Sequence, residues 1–430
     1  MRRGIALLMC AFASMTFELR AAEPREPMPG APSITLDALV ADVLERNQEL
    51  RFYEAELAAT RGERTTAAAW ENTELSGGVG RKEVRAGNLS DEGTAWAVSL
   101  KQRFPWPGRI SLKKAIADRQ VQLAELGLAR FKAALAARAR LLAYSLLAAR
   151  EKSDAASDVA DRFQRLRQVL VQRDPTGLTP QLEIRIIEAA ELTLHRRATE
   201  AALEVEGALL EVNQLRGEAW DSRVRISPVD LTFGPAPDRE ALLAGAQANN
   251  FELQVRRIEL EQQGFRVDLA RKEGRPSIAV APYYSEEQAG DREKQLGVGV
   301  SLALPLWDRN RGGIASAEAR RQQAQTSLEV TQMDLDRRVL EAAVAYRTKT
   351  GEIARWRPEA VEEFRKAAEL ADRHYRLGAV PIATYVELQK QYLDAMAALL
   401  DTRREALDAA QELENLTGIA VLRAAGGAPR

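Results

Sequence analysis

The stretch Leu296-Gly297-Val298-Gly299-Val300-Ser301-Leu302-Ala303-Leu304-Pro305-Leu306 decides the fold. Every second residue from Leu296 to Leu304 is apolar, and the residues between are glycine, serine or alanine. A period of two describes a β-strand with one greasy face and one small or polar face. The spacing predicts a strand over about 294–306 and a partner over about 277–287. At roughly 10–12 residues each, such strands cross a bilayer when tilted.

The stretch has an echo. Val98-Ser99-Leu100 matches Val300-Ser301-Leu302, and Phe104-Pro105 matches Leu304-Pro305. Trp96, Val98, Leu100 and Phe104 alternate with small or charged residues, which predicts a strand pair over 74–105 with its turn near 86–91. After Pro107-Gly108 no proline occurs until Pro175. That predicts one helix of about 65 residues, near 100 Å long and far beyond the ordinary globular length. Alanine recurs throughout its middle, which lets helices approach closely. A second long helix is expected over about 314–376, with a kink at Pro358. Shorter helices are expected over 36–70, 181–216, 239–272 and 382–416.

The chain is therefore duplicated. Glu49-Leu50 matches Glu252-Leu253, Gly177 and Pro180 match Gly378 and Pro381, and Leu215-x-Gly217 matches Leu416-x-Gly418, with offsets of 201 to 203. Residues 36–217 form the first structural repeat and 238–418 the second. An equatorial connection over 218–237 joins them, and 419–430 is a C-terminal tail. Each repeat reads helix, strand pair, long helix, break, helix. Length arithmetic suggests that the short helices stack end to end, 181–216 with 239–272 and 382–416 with 36–70.

The N-terminus is a separate piece. Arg2 and Arg3 precede an apolar run from Ile5 to Phe17, followed by Ala21-Ala22. This reads as a signal peptide over 1–22, then an extended leader over 23–35 rich in proline. Cys10, the single cysteine, lies inside the signal, so the mature chain has no thiol.

Four strands cannot enclose a lumen, and open sheet edges do not survive in lipid. Closure must be intermolecular, with eight strands from two copies or twelve from three. The alternatives, a pair of hairpins on a soluble coiled coil or a plain helical rod, leave the signal peptide or the strands unexplained.

Composition closes other doors. The chain has 430 residues, 61 Lys+Arg against 62 Asp+Glu, and two histidines. This balance offers nothing to nucleic acid, and one cysteine with two scattered histidines cannot build a zinc or iron–sulfur centre. His195 and His374 stand far apart, and Met28, Met333 and Met396 are dispersed. Gly77-Gly78-x-Gly80 lacks the Lys-Ser/Thr of a nucleotide loop. No catalytic constellation, cofactor or metal site is expected; the chain is not an enzyme.

With the duplicated layout, two phrases carry a resemblance: Gln102-Arg103-Phe104-Pro105-Trp106-Pro107-Gly108-Arg109 and Pro305-Leu306-Trp307-Asp308-Arg309-Asn310-Arg311-Gly312. From about Leu36 to Gly418 the chain resembles the TolC-like outer-membrane efflux factors of Gram-negative bacteria. The two phrases look most like the branch serving heavy-metal (cobalt–zinc–cadmium or copper–silver) efflux. The resemblance implies the outer membrane efflux protein fold: a long antiparallel α-helical barrel in the periplasm, and four strands given to a twelve-stranded transmembrane β-barrel in a homotrimer. It implies a passive duct for heavy-metal cations, working with a periplasmic adaptor and an inner-membrane pump of the resistance-nodulation-division type, and embedded in outer-membrane lipid. Drug efflux and type I protein secretion are the alternative uses of such a duct.

The resemblance also assigns places. The breaks after the long helices, with Gly177, Pro180, Tyr375, Arg376, Gly378 and Pro381, would form the periplasmic tip where adaptors dock, with Tyr375 and Arg376 tethering neighbouring helix pairs. Thr384 and Glu387 occupy the positions of an acidic ring, one carboxylate present and one absent, and Glu183 is their counterpart in the first repeat. The stripe Leu296, Val298, Val300, Leu302 and Leu304 would face lipid.

Overall fold

A computed structural model describes residues 33–86, 89–171, 178–229, 231–356 and 360–424. The expected signal peptide, most of the leader, Gly177 and Pro358 lie outside them. In chain order the elements are β1 (Ser33–Ile34), α1 (Leu36–Arg46), α2 (Glu49–Ala68), β2 (Glu74–Ala86), β3 (Leu89–Phe104), α3 (Arg109–Val171) and α4 (Leu178–Arg216). They continue as β4 (Arg225–Ile226), β5 (Leu231–Phe233), α5 (Arg239–Asn249), α6 (Phe251–Glu273), β6 (Ile278–Ala289) and β7 (Asp291–Leu302). The chain then runs through α7 (Arg311–Arg355), α8 (Ala360–Arg376), α9 (Ile382–Thr417) and β8 (Leu422–Ala424).

At 63 residues, α3 is about 95 Å long. The four long strands form one antiparallel sheet in the order β2-β3-β6-β7. The helices repeat that order. Nearest the sheet, α2 packs on α3, α3 on α6 and α6 on α7; farther away, α4 and α9 pack on α3, and α8 on α9. One flank of the protomer is thus β2, α2 and α4, and the other is β7, α7 and α8.

Two expectations about the short helices are corrected. The helix expected over 36–70 is two helices that part at Asn47, and that over 239–272 parts at Asn250. The stacking is also exchanged. Asn47 Nδ2 donates to the carbonyl of Leu215 at 3.0 Å, while its Oδ1 accepts from the Glu49 amide at 2.9 Å. Asn250 Nδ2 donates to Leu416 at 3.2 Å, and its Oδ1 accepts from the amides of Glu252 and Leu253 at 3.0 and 3.2 Å. Each asparagine joins the last turn of one helix to the first turn of another, so α4 meets α2, and α9 meets α6. The partners come from the same repeat, because a buried carbonyl end and a buried amide end must both be satisfied and one Asn side chain does both.

The matched Leu-x-Gly pairs end α4 and α9. Gly217 and Gly418 take φ of 66° and 70°, the left-handed turn that closes a helix. At the opposite ends, Thr35 and Asp238 are the N-caps of α1 and α5, their side chains accepting from the amides of Ala38 and Ala241. Between the repeats, β1 pairs parallel with β4, and β5 pairs antiparallel with β8, so the described part of the C-terminal tail is a strand at the equator. The Tyr346 hydroxyl, donating to the carbonyl of Gly234 at 2.6 Å, ties this belt to α7. The core divides into a cluster at the first-repeat junction (Leu39, Val43, Leu146, Leu209), one at the second (Leu242, Leu253, Val339, Leu413) and one near the far end (Phe163, Ile187, Tyr385, Leu393).

Candidate functional site

The sheet has two chemically different faces, and its register fixes which residue belongs to which. Opposite residues share a face. Leu75 pairs with Leu100, Gly77 with Val98 and Val79 with Trp96. Val98 pairs with Tyr284 and Phe104 with Ile278. Tyr284 pairs with Leu296, Pro282 with Val298, Val280 with Val300 and Ile278 with Leu302. This face is an apolar band interrupted on β3 by Gln102, which pairs with Val280, and its members on β7 are open, with Leu296 83% and Val300 70% exposed. Leu304, expected in the same stripe, lies beyond the end of β7, although it too is exposed.

The opposite face is small and charged. Ser76 pairs with Ser99, Gly78 with Ala97, and Tyr283 with Gly297. The Tyr283 ring covers Gly297 so closely that a Cβ there would lie 2.6 Å from its hydroxyl. Lys82 reaches across the sheet to Glu287 at 2.6 Å and Glu293 at 3.0 Å. A sheet with these faces separates an apolar medium from a watery one.

The two motif phrases sit where strands become helices. Arg109, the first residue of α3, donates to the carbonyls of Lys272, Glu273 and Arg275 at 2.9, 2.9 and 2.6 Å. Asn310, held at φ 56°, donates to the carbonyl of Ala270 at 2.7 Å. Both phrases therefore close the C-terminal end of α6, whose last carbonyls have no partners inside the helix. Sequence reasoning singled out the phrases without finding this role.

At the other end, α8 turns into α9 through Gly378, with φ 74°. The amides of Gly378 and Ala379 bond the carbonyls of Tyr375 and His374, both at 2.9 Å. Pro381 is the N-cap of α9, and its carbonyl accepts from the amides of Thr384 and Tyr385. Tyr385 is fully buried and stacks between Phe163 at 5.0 Å and Tyr375 at 5.4 Å. Its hydroxyl donates to Asp372 at 3.2 Å, and Arg376 bonds the same carboxylate at 3.0 Å. Burial raises the Tyr385 hydroxyl far above the usual phenol range. Tyr375 and Arg376, expected to tether a neighbour, are engaged within their own chain. Sequence reasoning missed Phe163, Asp372, Tyr385 and the fully buried Gln389, whose side chain donates to the carbonyl of Ala368 on α8 at 2.7 Å; the four-residue spacing of Tyr385, Gln389 and Leu393 marked that face as buried.

Thr384 and Glu387 stand exposed on α9, and Gln391 donates to Glu387 at 3.0 Å. At 100° per residue these three lie opposite the buried row of Tyr385, Gln389 and Leu393. Glu183 is half-buried, one turn before the fully buried Ile187, on the packed side of α4. Pro180 lies in the first turn of α4. His195 and His374 are exposed on different helices. Among the described residues no group of His, Cys, Asp and Glu is arranged to hold a metal, and no helix is long and apolar enough to cross a membrane.

Comparison with known proteins agrees with this geometry. The sequence profile of the outer membrane efflux protein family matches residues 242–419. The cobalt-zinc-cadmium resistance protein CzcC of Cupriavidus metallidurans is 25% identical over 350 residues, covering 78% of this chain and 80% of its own. The fold superposes on the CmeC outer membrane channel of Campylobacter jejuni with a TM-score of 0.72, at 14% identity and 89% and 85% coverage of the two chains. A membrane protein from Pseudomonas aeruginosa gives the same TM-score of 0.72, at 18% identity and 94% and 97% coverage.

Proposed function

Because the chain belongs to the TolC-like outer-membrane efflux protein family, we propose that three copies close into one duct, with a twelve-stranded barrel in the outer membrane and a helical tunnel in the periplasm. The observation that carries this is the four-stranded sheet, apolar on one face and charged on the other, whose edge strands β2 and β7 have no further partner strand among the described residues. An unpaired edge in lipid costs several kcal/mol per orphaned group, so β7 of one copy must meet β2 of the next. The helices support the same closure. Among the described residues, the exposed large apolar side chains of the helices all lie on flank helices: Phe52, Leu192 and Leu203 among those on one side, Val330, Met333 and Leu370 among those on the other. A flank meeting the opposite flank of a copy is a head-to-tail contact, the type that forms a ring when the rotation between copies closes.

In this reading Leu296, Val298, Val300 and Leu302 face lipid, and the tip around Gly177, Pro180, Gly378 and Pro381 receives a periplasmic adaptor that holds an inner-membrane pump of the resistance-nodulation-division type. Thr384 and Glu387 line the narrow end, with Glu183 as a weaker candidate. Residues 1–22 are removed on export. The cargo is heavy-metal cations, a choice supported by the similarity to the cobalt-zinc-cadmium resistance protein. No protein ligand to a metal is required, since ions pass through water.

Mass measurement of the detergent-purified complex and single-channel recording test the duct. A trimer mass with stable conductance is expected; a monomer mass or no conductance overturns it. Deleting the gene and scoring growth on cobalt, zinc and cadmium against growth on drugs tests the cargo. Sensitivity confined to drugs would remove the metal assignment and leave the channel standing.

A further inference from the structure

We propose that a cationic collar where the sheet joins the helices, centred on Arg271, Lys272 and Arg275, binds the phosphate of an anionic phospholipid in the adjoining leaflet. The inference rests on the reading that the apolar face of the sheet meets lipid. The charge distribution is the first observation. Residues 105–114 hold three cations (Arg109, Lys113 and Lys114) and no carboxylate, in a chain whose net charge is -1. Residues 271–275 hold three cations against Glu273, and 307–311 hold two against Asp308. Only 68–74 is acidic, with Glu71 and Glu74. At the far rim of the sheet, residues 81–92 and 286–294 hold five cations against seven carboxylates. The excess positive charge is confined to the helical end.

Local geometry is the second. A cleft of about 290 Å³ between α3 and α6 is lined by Leu112, Asp268, Arg271, Lys272 and Arg275. Arg271 answers Asp268 at 3.5 Å and Glu318 at 2.9 Å, but Lys272 and Arg275 have no carboxylate partner among the described residues. Among the described residues the Lys272 ammonium makes only a 3.4 Å bond to the carbonyl of Pro107, and the Arg275 guanidinium lies 5.4 Å from the centre of the Trp106 ring. The cleft thus offers a flexible ammonium and a guanidinium held in place by an aromatic face, next to an apolar side chain. Phosphate beside an acyl chain suits that combination. Since α3 and α6 are inner helices, a neighbouring copy at either flank leaves the cleft open.

The third observation is depth. Trp70 packs edge-on against Phe104 at 5.6 Å, and Phe104 stands in register with Ile278 and Leu302 at the end of the apolar band. Trp307, five residues beyond β7, is 94% exposed. Tryptophans at the edge of an apolar band mark the headgroup level, and Trp106 and Arg275 lie at the same junction.

The test places the purified full-length protein in nanodiscs of equal phosphatidylglycerol and phosphatidylcholine, re-extracts it gently, and weighs retained lipid by mass spectrometry. Wild type is expected to retain phosphatidylglycerol preferentially, by about fivefold or more, the equivalent of roughly one basic side chain near a charged surface. Lys272→Gln with Arg275→Gln should bring the ratio close to one, while Arg292→Gln with Lys294→Gln at the far rim should leave it unchanged. Should the double variant fail to assemble, Lys272→Gln alone serves, since it removes only a long bond. Equal retention of both lipids by wild type, or an unchanged ratio in the assembled collar variant, overturns the proposal. Displacement of the lipid by inorganic phosphate alone would show a phosphate site without lipid preference and overturn it too. A folded wild type that retains no lipid of either class would instead overturn the lipid-facing reading.

Discussion

Asn47 and Asn250, 203 residues apart, are equivalent joints: each side-chain amide bonds the last turn of one helix and the first turn of another. Both are almost fully buried, 6% and 7% exposed. They make two short helices behave as one long one, matching the reach of the long helix beside them.

Replacing either asparagine with alanine leaves a buried carbonyl and at least one amide unpaired. The expected loss is about 2–3 kcal/mol per protomer, from about 1 kcal/mol for each broken bond plus the unsatisfied group. Asn47→Asp should also destabilise, because it keeps the acceptor for Glu49 but turns a carboxylate toward the Leu215 carbonyl. Thermal unfolding of the assembled protein reads both, and equal stability of Asn47→Asp and wild type would contradict the assigned geometry.

Val300→Arg should cost about 2–4 kcal/mol if the residue lies near the bilayer midplane. Ser301→Cys and Val300→Cys give a cleaner comparison, because the chain beyond residue 10 has no native thiol. A membrane-impermeant thiol reagent applied to the lumen should label position 301 and spare 300. The reverse pattern would mean that the faces are exchanged.

Glu387→Gln should lower the preference of the channel for cations and weaken block by divalent ions added from the periplasmic side. Three copies of one carboxylate around an axis concentrate cations at a constriction. Thr384→Glu should strengthen both effects, since Thr384 shares the open face of α9. Planar-bilayer reversal potentials measure the preference; values unmoved in both variants would place this face outside the pore.

Glu151, half-buried on α3, has its carboxyl pushed above the usual range, first by burial and less by Asp154, with Arg403 opposing. Because the folded form holds the proton more tightly than the unfolded one, stability rises as pH falls through the raised value, and the gain is complete below the unfolded value of about 4.5. Glu151→Gln should therefore melt higher than wild type at pH 8, and the difference should shrink toward pH 4. A melting difference independent of pH would assign the effect to packing.

The amino-acid sequence alone determined the period-two strands, the proline-free long helix, and the repeated Gly and Pro at the turns. Each of these follows from local chemistry: side chains alternate on a strand, proline breaks the helix ladder, and glycine takes positive φ without steric cost. Repetition then implied that the two halves share one plan, and the four strands implied a sheet that one chain cannot close. The tertiary structure alone decided which short helices stack. Helical periodicity marks the buried face of α4 or α9 but not the partner at its end, so lengths near 100 Å fitted either pairing. The choice was made by two buried asparagines, residues that in isolation read as ordinary helix surface. The same holds for Tyr385 and for Arg109, whose partners lie on other helices, and for the pairing of β3 with β6 across roughly 180 residues of chain. Contacts of that separation are paid for by packing and buried hydrogen bonds, and no local pattern of residues records them.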